Sequence, residues 1–428
     1  MKHSTRIILA GTLGNLIESF DMAICGLLSV YLAKYLIGNE SKGLFIVFLT
    51  FFAGYIARPI GAMFMGMLSD LYGRKIILAG SILAMGISTS LIGFLPSHGT
   101  IGMASVFLLL LLRIIQSFSS GAEYLNSSAY LIENAEKSKK GFSGSWASFG
   151  AMSGILIASL VALAVTYFTK NYPELDWFIW RVPFMLALFG SSIGLYIRLC
   201  IPESMEYVMY YADRPKPKAK NLFSESYQYI KENKMQSLYV FILSSLGVTT
   251  TFQIYIYGPM QAHIYGNFSD HEIIISNIIS LLVLLCVFPL VGKLSDRINK
   301  EKIVVAASLG FLILSQPFFY FLSHGDIHQL VLSQALIAIP AGAYYATVPV
   351  ILTEIFPIQL RCTILSFLYS IAASLSAGLA PLLSLILVKK TQISVSPSIL
   401  MIILVISTWG VIGFKRNKCK LYNAIPSS

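Results

Sequence analysis

The stretch Gly66-Met67-Leu68-Ser69-Asp70-Leu71-Tyr72-Gly73-Arg74-Lys75 lies where one long apolar run ends and the next one begins. A glycine at position 66 allows the backbone to turn out of a helix. Asp70 and Arg74 are spaced so that they can form a local ion pair. Arg74 and Lys75 hold this edge of the apolar runs on one side of a membrane.

The composition indicates a polytopic membrane protein. Of the 428 residues, 56% are hydrophobic and 12% are charged, whereas a soluble protein carries about a quarter charged residues. A helical span needs about 20 apolar residues. We predict an all-α membrane protein with twelve transmembrane helices, over residues 7–36, 44–68, 76–95, 103–132, 142–168, 178–200, 237–260, 273–293, 303–322, 329–353, 363–388 and 398–414.

Lysine and arginine lie unevenly on the two sides of these spans. The side that carries the N-terminus has 23 of them, the opposite side has six, and Arg58 and Arg113 lie within spans, which accounts for all 31. The positive-inside rule therefore predicts that both termini are cytoplasmic. The net charge of +11 reflects this topology, so we expect a lipid bilayer as the partner and no nucleic acid.

Two matches at nearly one offset predict an internal duplication. Gly66-x-Leu-Ser-Asp70 recurs at Gly292 to Asp296, and Glu133, with a lysine and a serine after it, recurs at Glu354, followed by Arg361. Duplicated six-helix halves are a known transporter plan with a substrate site at the midplane. We predict an N-terminal bundle over 1–200, a cytoplasmic linker over 201–236 and a C-terminal bundle over 237–428.

Five ionisable residues lie deep within predicted spans, and all of them are in the first half. Glu18 and Asp21 are three residues apart in span one and share a helix face. Arg58 lies in span two, and Arg113 and Glu123 lie in span four. A charge at the bilayer centre costs roughly 2.5–3.5 kcal/mol on insertion scales, so each is a candidate functional residue. Internal pairing that only holds helices together is the alternative.

These charges predict proton coupling. Three carboxyls face two guanidiniums, and full ionisation would leave one buried negative charge without a partner. One carboxyl can therefore carry a proton while the others are paired. We hypothesise that Asp21 or Glu18 exchanges the proton and that Arg58 alternately frees and pairs it. If Asp21→Asn left uptake fully dependent on the proton gradient, Asp21 would be excluded.

The second half offers polar and aromatic side chains instead of charges. Gln253, Tyr257 and Tyr369 can line a substrate site, because an aromatic wall holds a cationic group by cation–π contact and an amide orients it. Ordinary helix packing is the alternative for most of them. The sequence shows no metal spacing among its five cysteines and no phosphate-binding loop. No nucleophile, base and orienting group cluster recognisably in the sequence. We therefore expect no enzyme, no cofactor and no metal.

Several motifs resemble one transporter family. The stretch from Gly66 to Lys75 is similar to the loop between helices 2 and 3 of the major facilitator superfamily. Gly14-Asn15-x-x-Glu18-x-x-Asp21 resembles the signature of its metabolite:proton symporter branch. Further matches are Ala57-Arg58-Pro59-x-Gly61, Gln116-x-x-x-x-Gly121-x-Glu123, Trp180-Arg181-x-Pro183-Phe184 and Glu354-x-Phe356-Pro357-x-x-x-Arg361. Within this branch the chain is most similar to proline/betaine transporters.

The resemblance implies a major facilitator fold of two six-helix bundles and proton symport of a small zwitterion across a bacterial inner membrane, by a chain that works as a monomer. It implies a proton-coupling, a substrate-binding and a gating group of residues. These groups are Glu18, Asp21 and Glu123; Arg58, Arg113, Gln116, Arg181, Gln253, Tyr257 and Tyr369; and Gly66, Asp70, Gly73, Arg74, Lys75, Asp296, Glu133, Glu354 and Arg361.

Departures from the family pattern leave alternatives open. Ser19-Phe20 replaces the usual Trp-aromatic pair, and Ser117, Ala122 and Ser370 also differ from it. After Lys415 we expect no coiled-coil tail of the kind that senses osmotic stress in this branch. A symporter of an organic acid such as 2-oxoglutarate or citrate, with Arg58 and Arg181 on the carboxylates, is the first alternative. A non-transporting membrane sensor is the second.

Overall fold

The computed structural model describes residues 3–38, 40–215 and 219–423, and every regular element in these ranges is a helix. The α-helices are α1 (His3–Leu27), α2 (Ser29–Leu32), α3 (Glu40–Tyr72), α4 (Arg74–Phe94), α5 (His98–Ile101), α6 (Ala104–Ser120), α7 (Glu123–Glu133), α8 (Lys140–Asn171), α9 (Asp176–Ile179), α10 (Val182–Leu199), α11 (Met205–Tyr211), α12 (Ala219–Glu232), α13 (Lys234–Phe252), α14 (Gly258–Tyr265), α15 (Asp270–Ser295), α16 (Lys300–His324), α17 (Ile327–Ile355), α18 (Arg361–Thr391) and α19 (Ser398–Asn423).

Twelve helical segments of the described chain are long and apolar enough to cross a membrane, which confirms the predicted number. They cover Thr5–Leu27, Phe45–Tyr72, Arg74–Phe94, Ala104–Glu133, Lys137–Asn171, Pro173–Leu199, Lys234–Tyr265, His271–Ser295, Lys300–His324, Ile327–Ile355, Arg361–Thr391 and Ser398–Lys415. Many large apolar side chains on them are exposed, such as Phe45 and Phe189. A lipid-facing surface has this character, since apolar groups there need no partner.

Three spans contain irregular segments that the hydrophobic pattern does not indicate. Span one ends at Leu27, nine residues before its predicted end at 36, and the chain continues through α2 and a π-helical turn over Ala33–Ile37 that closes at Gly38 with φ of 75°. Span four is interrupted at Ala122, between α6 and α7. Span seven contains a second π-helical turn over Gln253–Tyr257.

The turn out of the helix that was expected at Gly66 does not occur there. Helix α3 continues without a break to Tyr72, and the chain turns at Gly73, whose φ is 107°. Gly66 instead lies against the backbone at Cys362 and Thr363, where a Cβ atom would come within 2.6 Å of the Cys362 carbonyl oxygen. Its small size therefore permits a close approach of two chain segments.

The chain clusters into two units. Unit 1 contains Met1–Ser226 and Phe356–Ser370, and unit 2 contains Tyr227–Ile355 and Ile371–Ser428. The predicted linker over 201–236 contains α11 and α12. Its basic stretch Arg214 to Lys220 includes 216–218, which lie outside the described residues.

Unit 1 is built from helix pairs that approach closely at glycine. Helix α1 packs along α8, α3 packs along α6, and α4 packs along α10. At the first pair, a Cβ atom on Gly154 would lie 2.2 Å from the Leu16 carbonyl oxygen. At the second, a Cβ atom on Gly61 would lie 2.0 Å from the Phe118 carbonyl oxygen. These contacts fix the rotation of α1 and α3, which carry the predicted charged residues.

In unit 2, α17 packs against both α15 and α16, and α13 packs against α19. Its core is aromatic: the Phe311 and Tyr344 rings lie 5.9 Å apart, and the Tyr344 hydroxyl donates to the Leu243 carbonyl at 2.8 Å. The burial of a tyrosine hydroxyl costs little free energy when the hydroxyl has a hydrogen-bond partner. This contact therefore favours a rigid bundle.

Candidate functional site

Helix α1 brings its two carboxyls into different environments. Glu18 is 3% exposed and forms an ion pair with Arg58 of α3, at 3.2 Å between Oε1 and Nη2. Asp21 is completely buried, and neither carboxylate oxygen has a hydrogen bond of good geometry among the described residues. Thr89 of α4 is the polar side chain that interacts with it. Helix α1 thus carries one carboxyl that is paired and one that has no cationic partner in the described part of the chain.

Arg113 and Gln116 of α6 form a polar bridge beside Asp21. The Arg113 guanidinium donates to the Gln116 side-chain oxygen and lies 4.2 Å from the centre of the Phe51 ring. The Gln116 amide donates to the Asp21 carbonyl at 3.1 Å and to the Thr89 hydroxyl at 2.7 Å. Arg113 has no carboxylate partner among the described residues, and its Nε atom is buried without an acceptor.

The predicted balance of three carboxyls to two guanidiniums is wrong, because Arg198 is a third buried guanidinium. Arg198 lies in the last turn of α10, is 2% exposed and forms an ion pair with Glu123 of α7. The second Glu123 oxygen accepts from the Ser81 hydroxyl. The sequence analysis counted Arg198 among the 23 basic residues on the side of the N-terminus and not among the charges within spans. The glycine at position 14 is the one feature of the sequence that reflects the buried position of Arg198, since a Cβ atom there would overlap the Arg198 guanidinium.

Two tyrosines lie close to the Glu18–Arg58 pair. The rings of Tyr124 and Tyr369 are 5.4 Å apart, and the Tyr124 hydroxyl is 2.9 Å from the Ser148 hydroxyl. Glu18 interacts electrostatically with both tyrosines. Tyr369 belongs to the segment of α18 that is part of unit 1, so the structure brings it together with the charged residues of α1 and α3.

Arg181 lies away from this group and binds backbone carbonyls at the end of a helix. Its guanidinium donates to the carbonyls of Gly93 at 2.9 Å and Leu95 at 2.6 Å, which close the end of α4. It also lies 4.8 Å from the centre of the Trp180 ring. Because the last carbonyls of a helix lack intrahelical partners, Arg181 has a structural use at this position. The structure does not bring it into contact with Arg58 or Arg113.

The two predicted substrate-binding residues of unit 2 are both buried in the irregular part of span seven. The Gln253 amide donates to the Ser384 hydroxyl and to the Pro397 carbonyl, each at 2.9 Å. The Tyr257 hydroxyl is buried without a hydrogen bond among the described residues, and its ring lies 6.2 Å from that of Phe319. π-Helical turns occur frequently at functional sites, which keeps this segment a candidate.

The loop motif forms a buried network at the end of α3. Asp70 and Arg74 pair at 3.5 Å, as predicted, and Asp70 accepts from the Thr363 backbone and hydroxyl, each at 2.8 Å. Arg74 binds Glu133 through two nitrogens, and Arg361 binds Glu133 at 2.7 Å. The centre of the Tyr207 ring lies 4.7 Å from the guanidinium carbon of Arg74. Burial raises the pKa of the Tyr207 phenol to about 12, so the phenol stays neutral.

Gly73 and Lys75 belong to the start of α4. The Glu203 carboxylate accepts from the backbone nitrogens of Arg74 at 2.9 Å and Lys75 at 3.2 Å. A carboxylate at a helix N-terminus satisfies free N–H groups and complements the helix dipole. Sequence analysis did not identify Glu203, whose position follows from the tertiary fold alone.

The repeated motif of unit 2 keeps part of this arrangement. Lys300, which stands where Arg74 stood in the first copy, binds Glu354 at 3.0 Å, as Arg74 binds Glu133. Asn299 accepts from the Glu301 backbone at 2.9 Å and caps α16. Asp296 lies just after the end of α15. Among the described residues there is no group of three or more metal-ligating side chains.

Comparison with known proteins agrees with these features. The family model for the sugar (and other) transporter family matches residues 8–240, and that for the major facilitator superfamily matches residues 243–418. The proline/betaine transporter of Salmonella typhimurium is 31% identical over 414 residues, which cover 94% of this chain and 81% of that protein. The glycine betaine/proline/ectoine/pipecolic acid transporter OusA of Dickeya dadantii is 31% identical over 408 residues, with the same shares.

Solved structures show the same fold. The proton:xylose symporter XylE bound to a bromodeoxyglucose has a TM-score of 0.77 at 17% identity, over 95% of each chain. A partially occluded inward-open structure of XylE from E. coli has a TM-score of 0.68 at 19% identity, over 96% of this chain and 98% of that one.

Twelve spans, intramembrane charges and these matches define a multi-pass membrane transporter rather than an enzyme. The chain belongs to the major facilitator superfamily, and proline/betaine transporters of bacteria are among its relatives. The predicted fold and family are thereby confirmed.

Proposed function

We propose that this transporter imports a small zwitterion of the proline or betaine type together with a proton, by alternating access across a bacterial inner membrane. The names of its relatives support the substrate class, and a structural neighbour is a proton symporter. The observation that carries the proton coupling is Asp21, a completely buried carboxyl without a cation beside the Glu18–Arg58 pair.

The environment of Asp21 favours a proton on its carboxyl. A carboxylate that is buried without a cation or hydrogen bonds of good geometry is costly, so it is stable in its neutral form. If Asp21 loses the proton, two negative charges lie on one face of α1, and Arg58 has to serve both. We therefore assign the exchanging proton to Asp21 and the alternating pairing to Glu18 and Arg58.

Arg113 is suited to bind the substrate carboxylate. It is 3% exposed, has no carboxylate partner among the described residues, and presents a planar fork that matches a carboxylate. Tyr124 and Tyr369 can hold the cationic end of the substrate by cation–π contact. One such guanidinium and an aromatic pair correspond to a molecule with one carboxylate and one cationic group.

The alternative substrate is an organic acid with two or three carboxylates, such as 2-oxoglutarate or citrate. It would need several uncommitted guanidiniums. Arg58 is engaged by Glu18, and Arg181 donates to helix-end carbonyls. Because both guanidiniums already have partners, we favour the zwitterion over the organic acid as the substrate.

We also propose the remaining organisation of the transporter. Both termini are cytoplasmic, the bundles are 1–200 and 237–428 with a linker between them, and the transporter acts as a monomer. The charge distribution supports the orientation of the termini, and the internal repeat supports the division into two bundles.

The test is uptake into proteoliposomes with and without an inward proton gradient, using labelled proline, glycine betaine, 2-oxoglutarate and citrate. We expect gradient-driven accumulation of proline or betaine. In Asp21→Asn, accumulation against a gradient should be lost, while exchange of internal for external substrate continues, because exchange needs no release of the proton. Asp176→Asn is the matched control, since Asp176 pairs with Lys34 of the π-helical turn over Ala33–Ile37.

Each other outcome has a definite meaning. Accumulation of the acids alone would reject the zwitterion, and uptake that ignores the gradient would reject proton coupling. Accumulation by Asp21→Asn that still follows the gradient would exclude Asp21 as the exchanging group. No flux for any compound would favour the non-transporting sensor.

A further inference from the structure

Position 14 of α1 is filled by a side chain from another helix. Gly14 has no side chain of its own, and a Cβ atom there would overlap the guanidinium of Arg198, which belongs to α10. Arg198 is 2% exposed, so its guanidinium takes the space that a side chain at position 14 would occupy. Glycine at this position therefore lets α10 place a buried cation against the surface of α1.

This cation lies close to the Glu18 carboxyl. Residues four apart on a helix are neighbours, with about 5–6 Å between their Cβ atoms, so the Arg198 guanidinium lies one turn before Glu18. Helical side chains lean toward the preceding turn, which is the direction from Glu18 to position 14. Glu18 interacts electrostatically with Arg198. It thus has two cations in its surroundings, the direct partner Arg58 and the more distant Arg198.

Arg198 is held in place by α7 and α4. It forms an ion pair with Glu123 and donates to the Leu78 carbonyl. A guanidinium carries five N–H donors, and these two bonds use two of them. Arg198 therefore has donors for a second carboxylate in addition to Glu123.

The charged and titratable side chains around Glu18 come from five helices. They are Asp21 of α1, Arg58 of α3, Glu123 and Tyr124 of α7, Arg198 of α10 and Tyr369 of α18. Helices α4 and α8 also pack against α1, but their charged side chains lie at the ends of those helices. Lys75 and Tyr130 line a small cavity together with Arg198. Arg58 and Arg198 are thus the two cations of the group around Glu18.

We propose that Arg198 takes over the pairing of Glu18 when Asp21 loses its proton. The proposal rests on the proposed proton coupling. While Asp21 is neutral, Arg58 pairs with Glu18, as in the structure. Once the Asp21 proton has passed to water, Arg58 turns to the Asp21 carboxylate, and Arg198 then bridges Glu18 and Glu123. Arg58 has a donor for this change of partner, because its Nε atom is buried without an acceptor among the described residues.

The change of partner keeps each buried carboxylate beside a cation. A buried carboxylate without a cation is costly, and Arg58 alone cannot neutralise both carboxylates of α1. With Arg198 close to Glu18, the deprotonated state costs less free energy, so Asp21 releases its proton more readily. Arg198 is therefore a positioning residue, since it acts on the proton through Glu18.

The test uses two variants that change the positive charge available to Glu18 in opposite directions. Glu123→Gln removes the competing carboxylate and leaves Arg198 to Glu18. Arg198→Met combined with Glu123→Gln removes both members of the pair, so neither is left unpaired and Glu18 has Arg58 alone. Uptake of labelled proline and glycine betaine into proteoliposomes is measured as a function of internal pH, and exchange is measured on the same preparations.

We expect the two variants to shift the pH dependence of uptake in opposite directions. Wild-type uptake should accelerate as the internal pH rises, because Asp21 then releases its proton more easily. The double variant should need an internal pH about one unit higher for half-maximal uptake, which is a tenfold change in the proton equilibrium. Glu123→Gln should need a lower internal pH than the wild type. Exchange should stay at the wild-type level in both, because Asp21 keeps its proton during exchange.

Lys34→Met combined with Asp176→Asn is the matched control. This double variant also removes an ion pair of unit 1, with 2.5 Å between Nζ and Oδ2, but the pair lies outside the group around Glu18. Its pH dependence and exchange should match those of the wild type. Thermal unfolding in detergent checks that each variant is folded. If Glu123→Gln fails to fold, the upward shift in the Arg198→Met/Glu123→Gln variant, or its absence, decides the question.

Three results would overturn the change of partner while leaving the proposed function intact. One is a shift of both variants in the same direction, and another is the wild-type pH dependence in both. The third is an equal loss of uptake and exchange in the Arg198→Met/Glu123→Gln variant, which is the behaviour of a packing defect. Wild-type uptake that ignores the proton gradient would instead reject the proposed function, and the change of partner with it.

Discussion

Gly73 is a position where the backbone itself requires glycine. Its φ of 107° and ψ of 160° lie in a region that other residues scarcely adopt. A Cβ atom there would also come within 2.2 Å of the Glu203 carboxylate that caps α4. Gly73→Ala should therefore destabilise the protein by about 1–3 kcal/mol, measured as a lower unfolding temperature in detergent.

Gly80→Ala provides the control for this prediction. Gly80 lies in α4, seven residues further along, and nothing would meet its Cβ atom within 4 Å. Alanine is the better helix former, so the unfolding temperature should stay the same or rise slightly. Equal losses in both variants would show that the turn at Gly73 tolerates a side chain.

The individual charged residues show what sequence can and cannot predict. Glu18, Asp21 and Arg58 were identifiable because a charge within an apolar run is costly and needs a reason. Arg198 was missed, since it lies one residue from the end of α10 and looks like a basic edge residue. Its burial and its partner Glu123 depend on the packing of α10 against α1 and α4, which the spacing of residues along the chain does not encode.

At the scale of helices, close contacts at glycine decide where the charged residues point. A Cβ atom on Gly61 would overlap the Phe118 backbone at 2.0 Å, and one on Gly121 would lie 2.5 Å from the Arg58 carbonyl. Gly61→Ala must push α3 and α6 apart. We expect a loss of about 1–3 kcal/mol in stability, together with slower transport, because Arg58 lies one turn before the contact.

The measurement is thermal unfolding and substrate uptake of the same purified variant. Gly26→Ala in α1 is the comparison, since no atom lies within 4 Å of its Cβ position. Wild-type stability and uptake in Gly61→Ala would indicate that the two helices have room to adjust. The close contact would then not determine the position of the Arg58 side chain.

The helices also show which structural features the hydrophobic pattern of the sequence can predict and which it cannot. The twelve spans were predictable from apolar runs alone, because lipid requires long helices. The breaks at Leu28 and Ala122 and the π-helical turn over Gln253–Tyr257 were not predictable. Each of these segments has the same mixture of apolar and polar residues as the helix around it. Only tertiary packing therefore distinguishes it from a regular helix.

For the whole molecule, the distribution of lysine and arginine predicts the orientation in the membrane. Lys137, Lys139 and Lys140 lie at the start of span five, next to the loop after span four, whereas Lys170 and Arg181 flank the connection between spans five and six. The positive-inside rule therefore predicts that the first loop is cytoplasmic. The exposed pair of Lys139 with Glu136 does not alter this assignment, because acidic residues contribute little to orientation.

Fusions to alkaline phosphatase test the orientation, because this enzyme is active only where disulfides form, outside the cytoplasm. A fusion after Glu136 should be inactive, and a fusion after Tyr172, one span later, should be active. Cytoplasmic reporter fusions at the same two positions should give the inverse pattern and control for expression. If both patterns were reversed, the first loop would lie outside the cytoplasm and the predicted orientation would be wrong.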